Sequence, residues 1–125
     1  MKSARTRPPG RYADNLARYE ALVATNRDVE RKGDTMPYTS VNGHMFSLLT
    51  KDGYVILRLA EKDREAFLEK YKTPAVVQYG AVMKEYVEVP DALLERTKDA
   101  KKFFDASFRY VSGLKPKPTT KKKKG

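Results

Sequence analysis

Two pairs of turn residues limit what this chain can fold into more than any other feature. Asn42-Gly43 and Asp52-Gly53 are both favoured pairs for the tightest hairpin turns, whose central residues need positive φ. Connections this short allow only antiparallel pairing of the strands they join. The sequence therefore predicts a three-stranded meander over about residues 38–41, 44–50 and 54–60.

The register of the second hairpin decides which side chains meet the core. A two-residue turn at Asp52-Gly53 would place Leu48 opposite Leu57 and Phe46 opposite Leu59. These side chains, with Val55, would form one apolar sheet face. The opposite face would be mixed and would carry Met45, Ser47, Leu49, Ile56 and Arg58. A shift of one residue would exchange the two faces, because successive strand residues point to opposite sides.

Helical patterns flank the meander. A helix from about residue 13 has its apolar stripe at Leu16, Tyr19, Leu22 and Val23. The segment "EKDREAFLEKY" predicts a second helix that buries Ala66, Phe67 and Tyr71. A final helix over about residues 90–112, with Pro90 as its first residue and Gly113 as its cap, carries the stripe Leu93, Thr97, Ala100, Phe104, Phe108 and Val111.

Two more strands, "AVVQY" and "VMKEYVEV", meet at Gly80 between the second and the final helix. The predicted order is therefore α-β-β-β-α-β-β-α. Such an order is typical of an α+β domain with one antiparallel sheet of about five strands and helices packed on it.

The stretch "MKEYVEVP" places a carboxylate on an apolar strand face. Glu85 lies between Met83 and Val87 on the face that also holds Val89, while Val82, Lys84, Tyr86 and Glu88 share the other face. A buried carboxylate needs a partner. We therefore predict that Glu85 is exposed or ion-paired, with Arg58 as one candidate partner. The alternatives are a ligand contact and a catalytic acid. The candidate ligand or partner contacts are Arg58, Glu85, Tyr86 and Met45.

The net charge of +10 lies entirely at the two ends of the chain. Residues 1–12 hold four basic residues and no acid, and residues 115–125 hold six lysines and no acid. We interpret residues 1–12 as a flexible basic arm, residues 13–114 as a single neutral domain, and residues 115–125 as a disordered lysine-rich tail. Any attraction to nucleic acid should then lie in the ends, with Lys121, Lys122, Lys123 and Lys124 as candidate phosphate contacts.

Composition argues against several classes of site. The chain has no cysteine and one histidine, His44, for which we predict a structural or solvent role. A transition-metal site would need a cluster of carboxylates in addition, and the sequence shows none. Phosphate-binding glycine motifs are absent as well. We therefore predict no metal, no cofactor and no catalytic residue. The lack of cysteine suits a cytoplasmic protein, and no apolar run approaches the ~18 residues of a membrane span.

The order of elements resembles that of the TfoX/Sxy N-terminal domain family. The matching stretches are "NGHMFSLL", "GYVILRL", "DREAFLEKY", "MKEYVEVP" and "YVSGLKPKPTTKKKK", and the resemblance spans about residues 17–118. Full-length members of that family are regulators linked to natural transformation and carry a second, helical C-terminal domain. This chain resembles a stand-alone member without that domain.

The resemblance implies a non-enzymatic binding or regulatory domain whose mixed sheet face contacts a protein partner or a second copy. One alternative is a nucleic-acid-associated protein that binds weakly and without sequence preference through its basic ends. The other is a small-molecule binder that uses the sheet face near Glu85.

Overall fold

The protein was analysed as a computed structural model, which describes residues 11–33, 36–78 and 80–116. Its elements are α1 (Arg11–Ala24), β1 (Tyr38–Val41), β2 (His44–Leu49), β3 (Val55–Arg58), α2 (Glu61–Tyr71), β4 (Ala75–Gln78), β5 (Ala81–Val89), α3 (Asp91–Leu94) and α4 (Thr97–Ser112). The five strands form one sheet in the order β1-β2-β3-β5-β4, and all neighbours are antiparallel. The predicted α+β fold class is therefore confirmed.

The final helix is two helices rather than one. α3 ends at Leu94, and Arg96 leaves helical geometry with φ −99° and ψ 83° before α4 begins. Pro90 precedes α3 in extended conformation instead of being its first residue. Leu93 and Leu94, at the end of α3, are both buried beside this break.

The main core lies between the sheet and a layer of helices. Its largest buried side chains are Tyr19 of α1, Phe46 of β2, Phe67 of α2 and Phe104 of α4. The predicted stripe of α1 is confirmed, since Leu16 packs against the same core. The prediction for α2 is wrong at Ala66, which is exposed. This short helix buries Phe67 fully and places Tyr71 half-buried beside it, with ring centroids 4.7 Å apart.

The first predicted turn is confirmed and the second is wrong. Asn42 and Gly43 have φ of 55° and 81°, as a two-residue hairpin turn requires. In the second connection the Thr50 N–H donates to the Tyr54 carbonyl at 2.8 Å, which leaves three loop residues, 51–53, instead of two. Leu48 is consequently opposite Ile56, not Leu57.

A β-bulge at Phe46 explains the faces that result. Thr39 pairs with Ser47 and Ser40 with Met45, which leaves Phe46 as the extra residue of β2. Phe46 and Ser47 both face the helices, since Phe46 packs against Phe104 and the Ser47 hydroxyl lies 2.6 Å from that of Tyr19.

The bulge and the longer connection correct three of the predicted sheet positions. Ser47 and Leu49 belong to the helix side, although the sequence placed them on the mixed face. Leu48 lies on the other side with Ile56. Met45, Ile56, Phe46, Val55, Leu57 and Leu59 lie where they were predicted.

Strand β5 divides its side chains between the two sides of the sheet. Val87 and Val89 are buried in the main core, as predicted. Met83, predicted on the same face, packs instead against Ile56 and Val76 on the other side. The pairing with β4 jumps from Ala75 opposite Val87 to Val77 opposite Val82, and this irregularity breaks the simple alternation along β5.

The first helix begins inside the segment that the sequence predicts as the N-terminal arm. α1 includes positions 11 and 12, which the sequence had assigned to the arm. Residues 1–10 and 117–125 lie outside the described part, and so do the predictions made for them. Across residues 11–33, 36–78 and 80–116, none of the helices has the length and apolar character needed to cross a membrane.

Candidate functional site

One side of the sheet carries a second apolar cluster to which the described helices contribute no side chain. Its buried members are Leu48, Ile56 and Val76, and its partly buried members are Met36, Tyr38, Met45, Met83 and Tyr86. We call these eight residues the Met/Tyr cluster and this side the helix-free sheet face. Every methionine of the sequence except Met1 belongs to the cluster. Methionine adapts to varied partners, and tyrosine is enriched where proteins bind one another.

Arg58 and Glu85 form an ion pair, so the partner of Glu85 is the residue that the sequence offered as one candidate. The Arg58 Nε donates to Glu85 Oε1 at 2.6 Å, with the Arg58 side chain 21% exposed and the Glu85 side chain 40% exposed. Glu85 therefore lies at the surface, and its charge is matched by a guanidinium. This ion pair explains why a largely apolar strand face tolerates a carboxylate at position 85.

Tyr110 of α4 completes the environment of this pair. Its hydroxyl donates to Glu85 Oε2 at 3.3 Å, and the Arg58 Cζ lies 5.9 Å from the centre of its ring. Both carboxylate oxygens of Glu85 thus have a donor. Tyr110 was not among the residues predicted from the sequence. It follows the buried Ser107 by three residues and so projects from nearly the same side of α4.

Ser107 fixes the end of β3 against α4. Its buried hydroxyl lies 2.5 Å from the carbonyl oxygen of Arg58 and 3.2 Å from that of Phe46. One hydroxyl proton is thus shared between the bulge in β2 and the residue that carries the guanidinium. This contact holds the backbone from which the Arg58 side chain reaches Glu85.

Tyr86 joins the ion pair to the Met/Tyr cluster. Its hydroxyl donates to the Met45 carbonyl at 2.6 Å and so links β5 to β2 across β3. Burial raises the pKa of Tyr86 above its ordinary value, with a smaller lowering by Arg58 and a smaller raising by Glu85. Tyr86 therefore stays protonated at neutral pH and acts as a hydrogen-bond donor.

The structure thus brings all four predicted contact residues into one place. Arg58, Glu85, Tyr86 and Met45 form a continuous chain of contacts at the end of β3, and two of them belong to the Met/Tyr cluster. The four lysines Lys121, Lys122, Lys123 and Lys124 lie outside the described residues.

His44 has a structural contact. Its Nε2 lies 2.8 Å from the carbonyl oxygen of Lys115, and the Asn42 Nδ2 donates to the Ser112 carbonyl at 2.9 Å. The turn between β1 and β2 therefore holds the end of α4 and the residues that follow it. This geometry agrees with the structural role predicted for the histidine.

A surface hollow of about 680 Å³ lies between the end of α1 and α4. Its central carboxylate, Asp105, already accepts from Lys101 at 2.6 Å and from the Asn26 amide at 3.3 Å. Polar groups that satisfy one another in this way hold two helices together and leave little to recognise a ligand.

Within the described ranges, histidine and carboxylate side chains form no group of three or more that could hold a metal ion. The chain was also compared with protein-family models, with curated proteins and with solved structures, and none of the three comparisons finds a match.

Proposed function

We propose that this chain is a non-enzymatic, cytoplasmic binding domain that contacts a protein partner through its helix-free sheet face. The observation that carries the proposal is the composition of the Met/Tyr cluster. Three half-buried methionines and two half-buried tyrosines lie together on one side of the sheet, where no described helix packs. Residues of these two types form adaptable contact surfaces. The absence of cysteine from the sequence is the support for a reducing compartment.

The Arg58–Glu85 pair lies next to Tyr86 of this surface, at the end of β3 where Tyr110 of α4 also contacts it. Protein interfaces combine an apolar centre with a polar rim, and Tyr86 connects the two parts here through its contact with Met45. Both charges are only partly exposed and each has a partner in the fold. The pair is therefore better suited to orienting a protein partner than to capturing a small charged ligand. The resemblance to the TfoX/Sxy N-terminal domain points the same way, towards a regulator that acts by binding.

A photo-crosslinking experiment tests the proposal. A benzophenone amino acid replaces Tyr38, which is half-buried in the Met/Tyr cluster, and separately replaces Leu68, an exposed residue of α2 in the helical layer. Both proteins are expressed in the cell from which the sequence comes and are irradiated there. We expect a discrete protein adduct from position 38 and none of comparable yield from position 68. An adduct of twice the chain mass would identify a second copy as the partner.

A second substitution separates a specific contact from chance capture. Met83→Lys places a charge within the cluster without touching the crosslinking position. The adduct from position 38 should then disappear while the melting temperature changes little. Equal yields from positions 38 and 68, or an adduct that survives Met83→Lys, would show that the helix-free sheet face is not a contact surface.

A further inference from the structure

A groove of about 290 Å³ opens on the helix-free sheet face, beside the edge strand β4. Ile56 and Val76, two of the three buried residues of the Met/Tyr cluster, form its floor. Tyr54 and Val77 line it as well. Ligand pockets generally measure ~300–1,000 Å³, so this groove is suited to one side chain and not to a large cofactor.

The ionisable groups that line the groove carry a single sign. Asp52 lies in the connection between β2 and β3, and Glu88 is the cross-strand partner of Ile56 on β5. Directly paired strand residues have Cβ atoms ~5 Å apart, so the Glu88 carboxylate stands beside the apolar floor. No lysine or arginine is among the described residues that line the groove. Two carboxylates thus line the groove.

An apolar floor, an aromatic wall and an acidic rim together match one kind of side chain. Lysine and arginine have an aliphatic stem that packs on apolar surface and a charged head that stays near water or a counter-charge. The cationic head also interacts favourably with an aromatic ring. Asp52 and Glu88 would repel an acidic side chain, and a neutral polar side chain would gain a hydrogen bond from them but no ionic attraction.

We infer that this groove binds a lysine or arginine side chain of a protein segment that lies across the helix-free sheet face. The inference rests on the proposed function and specifies the chemistry of the partner. A peptide is the preferred ligand over a free amine because the groove shares its floor with the Met/Tyr cluster. Residues that flank the bound cation can therefore pack against Met83 or Tyr86.

The test is a titration of the full-length chain, observed through its backbone amide signals. The probes are two blocked tripeptides, acetyl-Leu-Lys-Leu-amide and acetyl-Leu-Gln-Leu-amide. We expect the lysine peptide at millimolar concentration to shift the amides of Tyr54, Val76 and Glu88, and the glutamine peptide to leave them unchanged. Glu88→Gln and Asp52→Asn should each weaken the binding by about two- to fivefold, the usual effect of a partly exposed ion pair. Glu61→Gln, on the exposed start of α2, is the matched control and should have no effect.

A variant of the basic N-terminal residues makes the result decisive. Lys2, Arg5 and Arg7 are cations of the chain itself that could compete for the groove. If the parent does not respond but the Lys2→Gln/Arg5→Gln/Arg7→Gln variant binds the lysine peptide, the groove accepts a cation and the competitor is the chain's own. If neither protein discriminates between the two peptides, the inference is wrong. Crosslinking from position 38 without peptide binding would reject this inference and leave the proposed function standing.

Discussion

Tyr19 offers a test of the buried polar contacts behind the sheet. Its hydroxyl lies 2.6 Å from the Ser47 Oγ, which in turn lies 2.5 Å from the Thr39 Oγ1, and all three side chains are fully buried. Burial raises the pKa of Tyr19 from 10.0 to about 12, against smaller lowering effects of the hydrogen bonds and of Arg31. The fold therefore opposes ionisation of this phenol.

The substitution Tyr19→Phe removes the hydroxyl and keeps the ring. Near neutral pH it should lower the free energy of unfolding by about 1 kcal/mol, the net value of a typical hydrogen bond. Above pH 10 the parent has a penalty that the variant lacks. The unfolded chain ionises Tyr19 from pH 10 upward, whereas the folded chain does so only near pH 12. The stability that the parent gains below pH 10 from keeping Tyr19 protonated is thus lost as the pH rises towards 12.

The size of that loss follows from the two pKa values. A shift of one pKa unit corresponds to 1.36 kcal/mol, so the parent should lose about 2 kcal/mol through Tyr19 by pH 12. The loss exceeds the benefit of the hydrogen bond. The stability curves of parent and Tyr19→Phe should therefore cross at about pH 11.

Urea unfolding at a series of pH values from neutral to strongly alkaline measures both curves. The matched control is Ser47→Ala, which removes a hydrogen-bond partner and leaves the buried phenol in place. That control should be less stable than the parent near neutral pH and should retain the alkaline loss. A constant difference between parent and Tyr19→Phe across the whole pH range would refute the reasoning, because it would mean that Tyr19 ionises equally in both states.

Three further predictions concern the strand, the turns and the tail. Val87→Ala should lower the free energy of unfolding by about 1 to 3 kcal/mol because it empties part of the core. Glu85→Gln should lower it by less than about 1 kcal/mol, because the ion pair that it breaks lies largely at the surface. If denaturant melts show the larger loss for Glu85→Gln, the faces of β5 are misassigned. Gly80→Ala should lower the free energy of unfolding by about 1 kcal/mol because of the positive φ alone. Gly33→Ala should lower it more, because the added Cβ would press on the Met36 carbonyl. Equal melting temperatures of the two variants would contradict this. Deletion of residues 116–125 should hardly change the melting temperature. Any DNA affinity should require the two basic ends and should fall steeply with salt; sequence preference, or affinity retained by residues 13–114 alone, would disprove it.

Much of the fold could be predicted because its signals are local. Asn42-Gly43 defines a turn by the φ angles that its residues tolerate, and the α1 stripe follows from the 3.6-residue period alone. The ion pair between Arg58 and Glu85 was predictable for a different reason. A carboxylate on an apolar strand needs a counter-charge, and the neighbouring strand offered one.

The parts that could not be predicted depend on distant contacts. The length of the second hairpin connection is set by the Thr50 and Tyr54 backbone pair, which a Gly53 turn signal does not reveal. The contribution of Tyr110 required knowledge of how α4 crosses the end of β3. The groove was missed because its lining comes from β3, β4, β5 and the connection before β3, and no stretch of sequence contains that combination.

The bulge at Phe46, which the sequence did not predict, also determines which side chains form the candidate surface. Without the extra residue, strict alternation would turn Ser47 away from Tyr19 and Leu48 towards the helices. With it, Ser47 meets Tyr19 in the core, and Leu48 joins Ile56 and Met45 on the helix-free sheet face. Bulges redirect side chains in this way, and they often lie near functional sites. The local irregularity that completes the core is therefore also the feature that assembles the Met/Tyr cluster.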